Sequence, residues 1–259
     1  MTTNQTLRRI KRVSEYVPVS EDVYIKAIQT ALERVQLTIR STKGVYSKRR
    51  AEEVLKHLKV ELGNHTDNFM MKFFKDMFKL IWDDTKTMNA DNKGLGLYKL
   101  PIDFVKNVLG FKEILFTTEL KDGSKKHSMI SVNALLKSVE ADTLKRAKSI
   151  ITNGAITGVN PNVIADEIAG ITDVERRHLR TVVRTMFADA QQRVNMESLK
   201  RNQEFYDYYE YSAKLDSRTT KICRHYDDTT WKKFNDIPKD LYPPLHPNCR
   251  STIIGKINL

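Results

Sequence analysis

Both cysteines of this chain, and two of its six histidines, fall between positions 223 and 249. The stretch DLYPPLHPNCRST (240–252) sets His246 and Cys249 at a two-residue gap among three prolines. Thiolates and an imidazole are the donors that zinc takes, usually four at a time. Cys223, His246 and Cys249 supply three, and His225 or Asp227 could supply the fourth. The cysteines could instead join as a disulfide closing about 27 residues, worth roughly 3 kcal/mol in the chain-entropy model. A cytoplasmic protein does not normally keep such a bond. A cysteine or histidine beside an acid could also be catalytic, yet no nucleophile elbow, HExxH or HxE…PCxxC pattern occurs. Prolines on both sides of His246 hold the backbone extended there, which argues against three ordinary core residues.

These side chains need a frame, and apolar periodicity outlines one. Residues 1–19 read as an irregular basic arm because of Pro18 and the RRIKR cluster. Ser20, followed by Glu21 and Asp22, reads as a helix start. Ile25, Ile28, Leu32, Val35 and Ile39 then recur at helical spacing to Arg40. A second helix is expected over 47–61, ended by Gly63 and Asn64, and a third from Thr66 or Asp67 to Trp82. In the third, Phe69, Phe73, Met77 and Ile81 form one row and Met70, Phe74 and Phe78 the next; so wide an apolar face reads as core. NADNKGLGLYKLP (89–101) reads as a flexible joint. EILFTTEL and KKHSMISV around Asp122-Gly123 read as a hairpin.

Helical period returns over 132–152. NGAITGVNPN is a loop, and Asn160 with Pro161 opens a short helix ending at Gly170. A long helix runs from Asp173 to about Arg201, with Leu179, Val182, Val183, Met186, Phe187, Ala190 and Val194 on its buried face. Its arginines, including Arg176, Arg177, Arg180 and Arg184, read as solvated. FYDYYEYSAKL, TTWKKF and STIIGKI are then strand-like. The expected fold class is α+β: a mostly helical body, a β-hairpin insertion and a small β-rich C-terminal unit. The expected divisions are a basic helical region at 1–88, a linker with the hairpin at 89–131, and a domain at 132–259 whose motif unit is 205–259.

LDSRTTKICRHYDDTTW followed by YPPLHPNCRSTIIG resembles the phage Mu protein F-like family, the minor head or head-morphogenesis proteins of tailed phages. Asp216, Arg218 and Thr219 match its Asp-x-Arg-Thr turn, Cys223 its first cysteine and Asp227 the aspartate that follows. Pro243, Pro244, His246, Pro247, Asn248, Cys249 and Arg250 match its last block. Asp228 stands where the family commonly has glycine. Arg184-Thr185 and Asn195 resemble its upstream helix, although Met186 replaces the usual glutamate. The match spans 210–255 closely and about 130–255 more loosely. The resemblance implies a low-copy, non-enzymatic protein of the virion, inside the head near the portal after assembly in the host cytoplasm. It implies the portal or other head proteins as partners, and a role in packaging or ejecting DNA. The alternative is a metal-dependent nuclease, or another enzyme, centred on the Cys/His motif.

Composition fits that expectation. Charged residues are 29% and hydrophobic residues 40% of the 259, a folded composition. No run approaches the roughly 18 apolar residues of a membrane span, and no secretory signal follows the basic N-terminus. The net charge is +12, and residues 1–60 hold 13 Lys and Arg against 6 Asp and Glu. Such an excess favours polyanions by counterion release. Arg8, Arg9, Lys11 and Arg12 are the candidates for non-specific contact with packaged double-stranded DNA. Structural zinc at Cys223, His246 and Cys249 is the one cofactor expected.

Overall fold

A single apolar stripe runs through Val54, Leu58, Leu62, Phe69, Phe73, Met77, Ile81 and Met88, all buried. Thr66 and Thr85 fill the two polar gaps, each donating its hydroxyl to the carbonyl four residues back. The stripe keeps helical phase past Gly63 and Asn64, so the two expected helices are one, α2 (Lys48–Gly94). An interior glycine costs only about 1 kcal/mol, too little to break an in-phase buried face. The computed structural model describes residues 3–42, 46–94, 96–101, 103–104, 107, 113–120 and 124–257. The fold class is α+β, as expected.

Helix α1 (Thr3–Arg40) also overrides an expected boundary. Its backbone is helical through Pro18, where a loose arm was expected over residues 1–19. Ser20 and Glu21 are good cap residues but equally acceptable inside a helix, and proline removes only one backbone bond. Tyr16 packs before the proline against Phe73, with ring centroids 6.4 Å apart. Arg8, Arg9, Lys11 and Arg12 therefore lie on helical backbone; their side chains are outside those the structure describes.

Hairpin β1 (Glu113–Glu119) and β2 (Lys125–Ser131) pairs in register from Glu119↔Lys125 to Glu113↔Ser131. The Asp122-Gly123 turn itself lies outside the described residues. Helix α3 (Val132–Thr157) runs five residues past its expected end and stops at Gly158, which takes φ +68°. Within it, Gly154 leaves room for Ile164, whose Cδ1 would sit 2.4 Å from an added Cβ. Helix α4 (Pro161–Ala169) opens as expected, with the Asn160 side chain accepting from the Asn162 N–H. Helix α5 (Ile171–Arg201) carries the seven expected core residues, all buried. The terminal sheet has order β4-β3-β5, all antiparallel: β3 is Tyr208–Ser212, β4 Thr230–Trp231 and β5 Thr252–Lys256. A short helix not expected from the sequence, α6 (Lys221–Tyr226), lies between β3 and β4.

The chain forms two compact units. One joins Tyr16–Phe73 with Asn133–Arg180 and is helical. In it Tyr24 donates to or accepts from Thr66 at 2.6 Å, and its ring lies 4.6 Å from that of Phe69. Arg146 pairs with the buried Glu175 at 3.0 Å, and Arg176 pairs with Asp22; that arginine is engaged rather than merely solvated. The other unit joins Met1–Glu15, Phe74–Val132 and Thr181–Leu259 and contains both sheets.

In this second unit the expected flexible joint is stapled. Asn89 accepts from the Leu100 N–H at 2.8 Å and donates to its carbonyl at 3.0 Å. Asn202 does the same for Tyr98. Asn89 lies in α2 rather than in a turn, and its amide, with that of Asn202 from the end of α5, holds the backbone of residues 98–100 in order. Among the described residues, no helix is long and apolar enough to cross a membrane.

Candidate metal centre

The terminal module is built around β3, β5 and α6. Tyr209 and Tyr211 project from β3 into a core with Ile222, Phe234, Ile237, Leu241, Leu245 and Ile253, and the two cysteines are part of it. Helix α6 brings Cys223 to this core. The turn His246-Pro247-Asn248-Cys249 brings the other two donors. It closes with the Cys249 N–H on the His246 carbonyl at 3.1 Å, and Asn248 takes φ +59°. Proline then asparagine is the residue order that a turn with left-handed third residue favours.

Polar side chains fix this turn from outside. Asn248 donates its N–H to Thr185 and its amide to Thr181, both at 3.0 Å. Asn195 donates to the Ile253 carbonyl at 2.8 Å. Thr185 and Asn195, picked out by the resemblance, are thus clamps from α5. Asp216 holds Arg250 through two bonds of 2.6 Å and accepts from the Arg218 N–H at 2.9 Å. Arg250, together with the Arg218 N–H, keeps the Asp216 carboxyl well below the usual range. Thr219 donates to the Lys214 carbonyl at 2.6 Å. Asp227 accepts from the Ala213 N–H at 2.7 Å.

The hairpin also belongs to this module. The Thr117 N–H donates to the Leu245 carbonyl at 2.8 Å, and its hydroxyl to the Asp240 carbonyl at 3.0 Å. Lys125 reaches Asp240 at 3.4 Å and lies over the Tyr226 ring at 4.8 Å. Pro243-Pro244, which is cis, and Leu245 therefore run between the hairpin and the cysteine turn.

Cys223, His246 and Cys249 present one donor atom each, all within 4.8 Å of one another. The sulfurs are 3.7 Å apart and both thiols are free. The Cys223 sulfur is 3.0 Å from His246 Nε2. His246 Nδ1 donates to the Pro247 carbonyl at 2.8 Å; a carbonyl only accepts, so Nδ1 carries a proton and Nε2 is the ring nitrogen that faces the sulfurs. The Thr220 hydroxyl lies 2.8 Å from the same Nε2. The Cys249 thiol donates towards Cys223, and this, with His246, drives the Cys223 thiol strongly down against the effect of burial. That same contact, with burial, pushes Cys249 up. Burial lowers His246, but the Cys223 sulfur and the Pro247 carbonyl more than offset it, for a net rise.

This donor set fits a zinc-class ion. Two thiolates about 2.3 Å from one tetrahedral ion stand about 3.8 Å apart, close to the 3.7 Å seen. The second nitrogen of His246 is held by a carbonyl, the usual support for a ligating imidazole. The 3.0 Å gap between Cys223 and Nε2 is tight; it must widen by about 0.5 Å, within reach of a half-buried ring. Neither expected fourth ligand joins. His225 is exposed and stacked edge-on against Tyr226 at 4.8 Å, and Asp227 is occupied with Ala213. Tyr211, whose hydroxyl is 3.5 Å from the Cys223 sulfur, was missed from sequence; nothing in its spacing marks it.

A pocket of about 920 Å³ lies on the same unit, lined by Leu115, Asp189, Arg193, Met196, Phe234 and Tyr242 among others. Its buried Asp189 pairs with Arg193 at 2.7 Å, yet burial outweighs that partner and raises the carboxyl to about 6.

A family model described as phage Mu protein F like protein matches residues 145–254. No curated protein and no solved structure matches the chain.

Proposed function

We propose, from the match of residues 145–254 to the family model for phage Mu protein F like protein, that this chain is a member of that family and a minor head protein of a tailed phage. As a head-morphogenesis-type protein its place is the virion and its partners are other head proteins. In the finer reading it is a low-copy, non-enzymatic component of the head interior near the portal, which it binds during assembly. It touches packaged DNA without reading sequence and aids packaging or ejection. The observation that carries this is the family match, which spans α5 and the cysteine module as far as Ile254. The net charge of +12 supports contact with phosphates.

Within this reading, the module at residues 205–259 is a rigid knob. A zinc-class ion held by Cys223, His246 and Cys249 would cross-link α6 to the 246–249 turn and stabilise the fold directly. The burial of both cysteines, 3% and 5% exposed, supports this structural role over catalysis by a cysteine nucleophile, because a substrate could not reach the sulfurs.

Particles purified from infected cells test the proposal. The protein should be present in a few copies per head, shielded from added protease until the head is opened, and should co-purify with the portal protein. Its absence from both empty and full heads would overturn the reading. Incubation of the pure protein with DNA and divalent metals should leave the DNA intact, whereas cutting lost in His246→Ala would favour the nuclease.

A further inference from the structure

Among the described residues, the cluster contains three metal-type donors and no fourth. Sites that only hold a fold are almost always closed by four protein ligands, whereas sites with three keep a position for an outside ligand. The surroundings are asymmetric in the same sense. Cys223 and Cys249 are buried against Tyr211 and the module core, while His246 and Thr220 are half-buried. Solvent therefore reaches the donor triangle from the side of the imidazole and the Thr220 hydroxyl, 2.8 Å apart. Asp216, the carboxylate on the neighbouring turn, is committed to Arg250 by two bonds and to the Arg218 N–H. Asp227 is committed to Ala213. Neither is free to swing in.

We propose that Cys223, His246 and Cys249 bind one zinc-class dication with protein donors at only three positions, and that the fourth is exchangeable, taken by water or by a small monodentate nitrogen donor or anion entering beside Thr220. This rests on the metal reading above and deepens it: the knob is cross-linked, but it also presents a coordination position to the outside. The donor chemistry selects the metal. Two thiolates and an imidazole favour zinc and its close relatives over magnesium or calcium, which take oxygen.

Cobalt(II) in place of zinc reports both coordination number and thiolate count by its absorption. The full chain should take up one Co²⁺, with visible bands of a four-coordinate site and sulfur-to-metal charge transfer. Cys249→Ser should cut the charge-transfer intensity to about half or abolish binding. Titration with imidazole, and separately with azide, should shift the visible bands saturably while leaving the charge-transfer intensity in place. Thr220→Val should keep the bands of the parent. If neither ligand shifts the bands, or if Thr220→Val changes them as strongly as a ligand does, the fourth position belongs to the protein and the proposal fails, with the metal reading intact. If the parent takes up neither Co²⁺ nor Zn²⁺, the metal reading itself falls.

Discussion

The helical unit and the cysteine module are held together by different means. In the unit of Tyr16–Phe73 and Asn133–Arg180, stability comes from many interchangeable apolar residues: Ile25, Ile28, Leu32, Leu58, Leu62, Phe73 and Ile151 are each buried. In the module, single polar residues hold specific partners: Asp216 on Arg250, Asn248 on Thr185, Asn195 on Ile253, Thr117 on Leu245. A long helix can bury enough area to need no such staples. A short unit of two- to seven-residue strands cannot, so turns, clamps and sulfurs take over. Substitutions in the two regions should therefore be felt differently.

The largest effect should come from breaking the helical unit. Phe73→Ala should lower stability by about 3–5 kcal/mol through lost burial and a cavity, read by urea unfolding with hydrogen exchange weakened across α1 and α2. A loss below about 1 kcal/mol would mean that the stripe does not carry the unit.

Asp189 sharpens the contrast by pH. Its folded value of about 6 lies above the ordinary 3.8, so its contribution is full below pH 4 and is lost as pH rises through 6. The shift of about two units corresponds to about 3 kcal/mol. Asp189→Asn should therefore gain on the parent by that order between pH 4 and 7. A difference between the two that does not change with pH would remove the buried carboxylate from the account.

Cys249→Ser should cost about 2 kcal/mol and act locally: exchange protection should fall over 208–256 and persist over 24–69. Uniform loss of protection, or none, would each count against a separately stabilised module. The smallest effect runs the other way. Asp228 takes φ +62°, the conformation that suits the glycine common at this place in the family. Asp228→Gly should relieve it and raise stability by about 0.5–1 kcal/mol. A destabilised variant would show that the aspartate side chain has a role there.

Legibility followed the same division. Five of five stripe residues on α1 and seven of seven on α5 are buried as read, because a 3.6-residue period is a local property. The hairpin and the Asn160-Pro161 start were legible for the same reason. Boundaries failed where a good cap or a glycine permitted a stop that packing did not require, at Ser20 and at Gly63. The stretch 89–101 was misread as loose because asparagine favours turns on its own, and only distant partners reveal it as a staple.

What the sequence settled alone was the buried faces of α1 and α5, the hairpin, the family resemblance and the three donor types at 223, 246 and 249. Tertiary structure decided that these donors converge within 4.8 Å, that His225 and Asp227 do not join them, and that the hairpin seals the module through Thr117. The reason is physical. Periodicity and turn preference act over a few residues, whereas donors 23 and 26 positions apart meet only after β3, β5 and α6 have packed on one core.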